Sequence, residues 1–378
     1  MSELKQKVAR GTLWNIIGSV VDIVATVLLM RILVPDDFGL VAAAGVFTGL
    51  AGKVGEGGIR TAIVQRKDEA NLFVSGLVMN VFLVSAMALI VGLSGSWIAA
   101  LYNEPRLAQV VRWMAVCMVI AGLGLMPRAF LERRMLFGHL AAVNIVATVA
   151  GSVSALVAAH LGAGMWALVV LSGARGAVTT VLCWFLTEFR AVRGFSLAVG
   201  MELLRYGVKV TASNLLGTVH SSGVRFVIGY VLGTSALGMF AAGWRLVSVP
   251  IQMLSNPFCS AVFPALCRKQ DNKHQLAGAY FRIIEIQTGI IGPIVAISVV
   301  AAGDLVPLIA GQGWADSISV VRILAGVGLF NLAFGISYLV FLAGGKPEFR
   351  FLYLGVLAAA SITGTFAGSA AGLAGAST

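Results

Sequence analysis

Seven ionisable side chains lie deep in the long apolar stretches of this chain: Asp22, Arg175, His220, Arg225, Arg245, Glu285 and Arg322. A charge held in hydrocarbon is costly, so such residues face a cavity, a partner or water. Four arginines stand against two carboxylates. A guanidinium is a planar fork of donors that matches phosphate or carboxylate oxygens, so the surplus suits a cavity for an anion, whereas export of a cation would favour acidic residues. Arg225, near the middle of its stretch, and Arg175, within Ser172-Gly173-Ala174-Arg175-Gly176, are the first candidates for contacting that anion. Small neighbours let a partner helix approach closely. Arg245 and Arg322 lie nearer the ends of their stretches, where a long side chain reaches water. Asp22 reads as a salt-bridge partner of one of these arginines, with ion coupling as the other reading. Glu285, one turn past Arg282, reads as a local helix pair. A lone histidine such as His220 reads as a packing residue that also has the pKa to titrate near neutrality. Asn15 and Asn214 suit hydrogen bonds between helices.

Other chemistry is missing. There is no H-E-x-x-H, no Walker loop and no G-x-S-x-G, so an enzyme is not expected, nor ATP as a direct energy source. The cysteines, Cys117, Cys183, Cys259 and Cys267, show no C-x-x-C pairing and read as packing residues rather than a disulfide framework or zinc site.

The elements that must position these residues follow from composition. Of 378 residues, 58% are hydrophobic and 11% charged, with a mean hydropathy of +0.93. Soluble cores cannot hide that much apolar surface, so the bilayer must serve as solvent. Apolar stretches at roughly 12–33, 38–58, 74–93, 107–127, 139–161, 164–186, 207–232, 237–262, 280–302, 318–342 and 351–371 are each about long enough to cross it as a helix. Together they use up the chain and leave no room for a separate soluble domain. The net charge of +11 would suggest nucleic acid in a soluble protein, but topology explains most of it here. With the N-terminus in the cytoplasm, one set of alternate connections collects 19 Lys and Arg residues, including Arg60, Arg128, Arg133-Arg134, and Arg268-Lys269. The other set holds only Arg31 and Arg106. The basic start, Met1 to Arg10, precedes a retained first span, not a cleaved leader. Trp97-Ile98-Ala99-Ala100-Leu101-Tyr102 reads as a short interfacial helix with its aromatics at headgroup depth.

A shift of 199 residues sets Asn15 on Asn214, Ile16-Ile17-Gly18 on Leu215-Leu216-Gly217, Leu33 on Leu232, Gly39 on Gly238 and Ala42-Ala43 on Ala241-Ala242. A shift of 202 sets Arg66-Lys67 on Arg268-Lys269. Both copies start on one side, as in a parallel repeat related by an axis along the membrane normal. This gives an N-terminal bundle over 1–190, a cytoplasmic linker over 191–206 and a C-terminal bundle over 207–378. The second bundle holds five of six expected helices. Gly372-Leu373-Ala374-Gly375 resembles the turn Gly162-Ala163-Gly164-Met165 that opens the sixth span, so the chain is expected to end before its twelfth helix.

Three segments carry a family resemblance: Lys7-Val8-Ala9-Arg10-Gly11 before Asn15, Leu33-Val34-Pro35-Asp36-Asp37-Phe38-Gly39-Leu40, and Gly57-Gly58-Ile59-Arg60-Thr61-Ala62-Ile63-Val64-Gln65-Arg66. The second-half counterpart of the link is Leu232-Gly233-Thr234-Ser235-Ala236-Leu237-Gly238. In order, these resemble the polysaccharide transporter family of oligosaccharide-lipid flippases, whose superfamily also holds multidrug antiporters and the peptidoglycan lipid flippase. The resemblance implies an all-α membrane protein of two six-helix bundles. It also implies alternating-access transfer of an undecaprenyl-pyrophosphate-linked oligosaccharide across the bacterial inner membrane, for exopolysaccharide, capsule or lipopolysaccharide assembly. It implies no cofactor, and as partners the lipid-linked substrate, the bilayer, and the polymerase and chain-length machinery. Under that reading Arg225, Arg175, Arg245 and Arg322 bind pyrophosphate or sugar. The alternatives are a cation-coupled exporter of small molecules, with Asp22 and Glu285 as ion sites, and a truncated, non-transporting membrane component.

Overall fold

The computed structural model describes residues 2–65, 71–187, 194–267, 273–334 and 347–368; among these there is no strand. The helices are α1 (Ser2–Ile32), α2 (Pro35–Glu56), α3 (Ile59–Gln65), α4 (Leu72–Leu93), α5 (Gly95–Leu101), α6 (Arg106–Leu123), α7 (Leu125–Arg133), α8 (Phe137–His160), α9 (Trp166–Leu186), α10 (Leu197–Cys267), α11 (Lys273–Ala310), α12 (Ser317–Phe334) and α13 (Pro347–Gly368), with a 3-10 turn at Gln312–Trp314. Arg66-Lys67, Arg268-Lys269, Gly372–Gly375 and the side chains of Asn15, Asn214, Cys259 and Cys267 lie outside the described residues.

Among the described residues, seven helical stretches are long and apolar enough to cross a bilayer: 35–64, 72–93, 106–133, 137–160, 166–186, 215–253 and 277–310. This is a multi-pass membrane protein. Of the eleven stretches expected from the sequence, 12–33, 318–342 and 351–371 are not among these seven, although their described residues are mostly helical, and 215–253 takes in two of the expected stretches.

Local chemistry sets the breaks. Pro35 opens α2, where its fixed φ fits and its missing N–H costs nothing, and Asp36 and Asp37 in the first turn complement the positive helix end. Helix α2 stops at Gly57 and Gly58, both left-handed at φ 56° and 62°, and α3 leaves in a new direction. The longest helix, α10, is broken at Gly233, with φ 88° and ψ 175°. A Cβ on Gly229 would meet Leu237 at 2.9 Å, although residues eight apart on a continuous helix are about 12 Å apart. The chain therefore turns back at Gly233 into two arms, 197–232 and 234–267.

The first arm of α10 runs along α2: Gly207 lies against Gly57 and Gly58, Phe226 against Phe47, and Gly238, just past the turn, against Gly39. Helix α8 packs between α1 and α9, α11 against α12, and α13 against α10. The largest buried apolar cluster draws on both halves of the sequence, joining Leu29, Met30, Leu40 and Leu107 to Ile228, Leu237, Val306 and Trp314. It is concentrated where the links around Pro35, Tyr102, Gly233 and Gly311 gather, here called the Pro35 end. At the opposite, Arg128 end, a smaller cluster of Ile59, Ile63, Leu72, Met79 and Met126 takes, among the described residues, only Leu203 from the second half as a buried member.

Candidate functional site

Asp22 lies about ten residues from the Pro35 end of α1, which is roughly 15 Å along the helix. Arg175 of α9 places Nη1 3.2 Å from its Oδ1, and Arg245 of the second α10 arm places Nη2 2.6 Å from its Oδ2. One carboxylate thus bridges two arginines that are 70 residues apart in sequence. Glycines make this approach possible: a Cβ on Gly151 would sit 3.1 Å from Arg175 Cβ, and one on Gly173 would sit 3.0 Å from Cys117 Sγ. The expected pairing of Asp22 with one arginine is therefore a pairing with two. Arg245, expected to reach toward water from a span end, turns inward to Asp22 instead. Its position along the span does not reveal that a carboxylate on another helix is within reach.

Arg225 is half-buried on the first arm of α10, and none of the described residues pairs with it. Next to it, Phe226 meets Phe47 and Tyr102 edge-on, each with centroids 6.1 Å apart, and stacks on Tyr230. Tyr102 is 7% exposed, and a Cβ on Gly229 would sit 2.6 Å from its ring. Its hydroxyl has no hydrogen-bond partner among the described residues, and burial raises its pKa, so it stays a neutral phenol. The short helix expected at 97–102 is present as α5 with Trp97 exposed, but Tyr102 is buried because a glycine on α10 leaves room for its ring.

The other candidates are more dispersed. Glu285 pairs with Arg282 at 2.8 Å on an exposed face. His220 is half-buried on the first arm of α10, and its Nδ1 lacks a partner among the described residues. Arg322 is exposed on α12, beside Gly303 of α11, without an ion pair among the described residues. Cys117 and Cys183 are free thiols in packed positions. No metal-holding group of three or more His, Cys, Asp or Glu residues occurs among the described residues.

A second constellation closes the Pro35 end. Arg31, near the end of α1, donates from Nε to the Ile309 carbonyl (2.9 Å) and from Nη2 to that of Leu308 (2.6 Å), at the end of α11. In return, Trp314 donates from Nε1 to the Met30 carbonyl at 2.8 Å, and its ring lies edge-on to Phe38. Two helix ends thus satisfy each other's last carbonyls. Asp36 accepts from Thr234 and from Arg106 (2.6 Å), which also holds Glu104 (2.8 Å). A Cβ on Gly39 would overlap the Thr234 carbonyl, and one on Gly238 would overlap that of Pro35. Pro35 and Thr234, like Gly39 and Gly238, are 199 residues apart, so the contact is reciprocal. Sequence reading missed Trp314 and Thr234 here. It held Arg31 and Arg106 only as topology markers, although their being the only two cations of the sparsely charged connections was a signal.

At the Arg128 end, Glu132 lies 3.4 Å from both Arg60 and Arg128, and the Arg134 guanidinium sits 4.2 Å from the Phe130 ring centre. Residues expected on one side of the bilayer are thus found together at one end of the bundle.

The comparisons with known proteins agree with this architecture. Residues 28–319 match the family described as polysaccharide biosynthesis protein. The chain is 27% identical over 336 residues to the lipopolysaccharide biosynthesis protein WzxC of Escherichia coli (strain K12), covering 87% of this chain and 68% of that one. It is 24% identical to the succinoglycan biosynthesis transport protein ExoT of Rhizobium meliloti (strain 1021), covering 84% of this chain and 65% of ExoT. It thus spans about two thirds of the length of these relatives. Among solved structures, the lipid II flippase MurJ in an inward closed conformation superposes with a TM-score of 0.78 at 8% identity, over 97% of this chain and 84% of that one. An inward-facing multidrug resistance MATE family transporter superposes with a TM-score of 0.70 at 19% identity, over 95% and 89%. These likenesses concern the fold. By its match over residues 28–319, the chain belongs to the polysaccharide biosynthesis protein family.

Proposed function

We propose that this protein is a flippase that moves an undecaprenyl-pyrophosphate-linked oligosaccharide across the bacterial inner membrane by alternating access. The observation that carries this reading is the cation-rich interior: Arg175 and Arg245 converge on one carboxylate, and Arg225 stands half-buried without a partner among the described residues. An anionic headgroup finds there what the hydrocarbon denies it, donors and positive charge. The N-terminal bundle comprises residues 1–190, with its N-terminus in the cytoplasm, and the C-terminal bundle residues 207–378. The Pro35 end is then the outer face. On this reading the Gly39–Gly238 contact, which joins equivalent positions of the two bundles, and the helix-end hydrogen bonds of Arg31 and Trp314 hold the outer side shut, so the protein opens inward. The names of WzxC and ExoT support a polysaccharide substrate, and the activity of those longer proteins is carried over here as part of the proposal. A cation-coupled exporter is less well supported: Asp22 is already paired with two arginines, and Glu285 is tied to Arg282 on an exposed face.

The test is transport of a pyrophosphate-linked oligosaccharide in reconstituted vesicles, read with a membrane-impermeant sugar label. Arg225→Ala and Arg175→Ala are expected to slow its appearance on the far side at equal protein levels. Full activity in both variants would remove these arginines from the mechanism.

A further inference from the structure

Asp22 occupies the place that an anionic ligand of Arg175 and Arg245 would have to take. Each of its oxygens is held by a different guanidinium, at 3.2 and 2.6 Å. Its side chain is 16% exposed, against 43% for Arg175 and 33% for Arg245. The acid is enclosed while the forks stay open, and a guanidinium has five N–H donors, far more than Asp22 takes up. We propose that Asp22 is a built-in counter-ion of the substrate site, which pairs with Arg175 and Arg245 while the site is empty and is displaced by the pyrophosphate of the carrier lipid.

This role rests on the flippase reading above and follows from charge and geometry. One carboxylate between two arginines leaves the cluster with a net charge of +1, an incomplete neutralisation in a poorly solvated place. A pyrophosphate brings more than one negative charge and several oxygens, so it satisfies both forks more fully. Because Asp22 competes, the site holds the headgroup less tightly than two bare arginines would. When the headgroup leaves, Asp22 recloses the bridge between α1, α9 and the second α10 arm, which resets the empty site without burying unpaired cations. A carboxylate that merely scaffolds the arginines has the opposite effect on affinity: its loss would disorder them and weaken binding.

Binding of undecaprenyl pyrophosphate to the purified full chain in detergent separates these roles, with melting temperature measured alongside. Asp22→Asn is expected to tighten binding about three- to tenfold, the scale of removing a carboxylate that competes for both arginines. Unchanged or weaker binding in a variant that melts like the parent overturns the counter-ion role. Asp22→Glu keeps the charge and covers the case in which the Asn variant does not fold: binding within about twofold of the parent is expected, and marked tightening overturns the proposal. An Arg175→Ala, Arg245→Ala double variant distinguishes the levels of failure. If it binds as tightly as the parent, the anion-site reading itself falls. If it binds weakly while Asp22→Asn is no tighter than the parent, only the counter-ion role falls.

Discussion

Arg225 and Arg245 sit on opposite arms of α10 and differ in the company they keep. Arg245 has a carboxylate, whereas Arg225 has no partner among the described residues. Removing an uncompensated, half-buried cation relieves a desolvation cost, so Arg225→Leu is expected to leave the melting temperature unchanged or raised while transport falls. A fall in both would mean that Arg225 supports the fold rather than the substrate. Tyr102 gives a cleaner stability test. Its buried hydroxyl has no partner among the described residues, so Tyr102→Phe is expected to be neutral or stabilising by about 1 kcal/mol in detergent unfolding, and a loss of 2 kcal/mol or so would reveal a hidden hydrogen bond. At this scale the sequence made the charges legible but not their partners. Asp22 stood out because a carboxylate in an apolar stretch must be paired. That it takes both Arg175 and Arg245 depends on helices 153 and 223 residues away along the chain. Tyr102 was misread because an aromatic in a short link looks interfacial, and the space left by Gly229 is visible only once α10 is in place.

The contact between the two chain reversals decides what the helices can do together. Gly39 and Gly238 have each other's neighbouring carbonyls where a side chain would begin, so any larger residue must push the Pro35 end apart. Overpacking of this kind costs about 1–3 kcal/mol, a shift of about 5- to 150-fold in the balance between closed and open forms. Gly39→Val is accordingly expected to lengthen the distance between spin labels at Asn103 and Gln312, two exposed positions on either side of the joint, in a background lacking the four cysteines. An unchanged distance distribution would mean that this contact does not hold the end shut. Arg31→Met, which removes two hydrogen bonds to helix-end carbonyls, should shift the same distance distribution in the same direction, by about 1–2 kcal/mol in the balance between closed and open forms. The offset of 199 residues was legible as matching letters. That the matched glycines touch was not, since a repeat gives equivalence between positions and not the axis on which they meet.

Across the whole molecule, hydropathy and charge were read most securely, because bilayer thickness and the bias of Lys and Arg toward one side act on any sequence in the same way. Among the described residues, Arg60, Arg128 and Arg134 lie together at one end and the Pro35 link at the other, as expected from that bias. A single cysteine at Asn103 should therefore react with an impermeant maleimide in intact cells stripped of their outer membrane, and one at Met135 only after the membrane is opened. The reverse pattern would invert the orientation. Substrate identity was not legible in the same way, because a cavity surface has no linear code. The central claim is tested most directly by the sidedness of the lipid-linked repeat unit in spheroplasts depleted of this protein, measured with a membrane-impermeant sugar label. A flippase predicts that the labelled lipid disappears from the outer leaflet while the total pool rises, and that resupplying the chain restores it. Unchanged sidedness, in cells confirmed to lack any other flippase for that substrate, would contradict it.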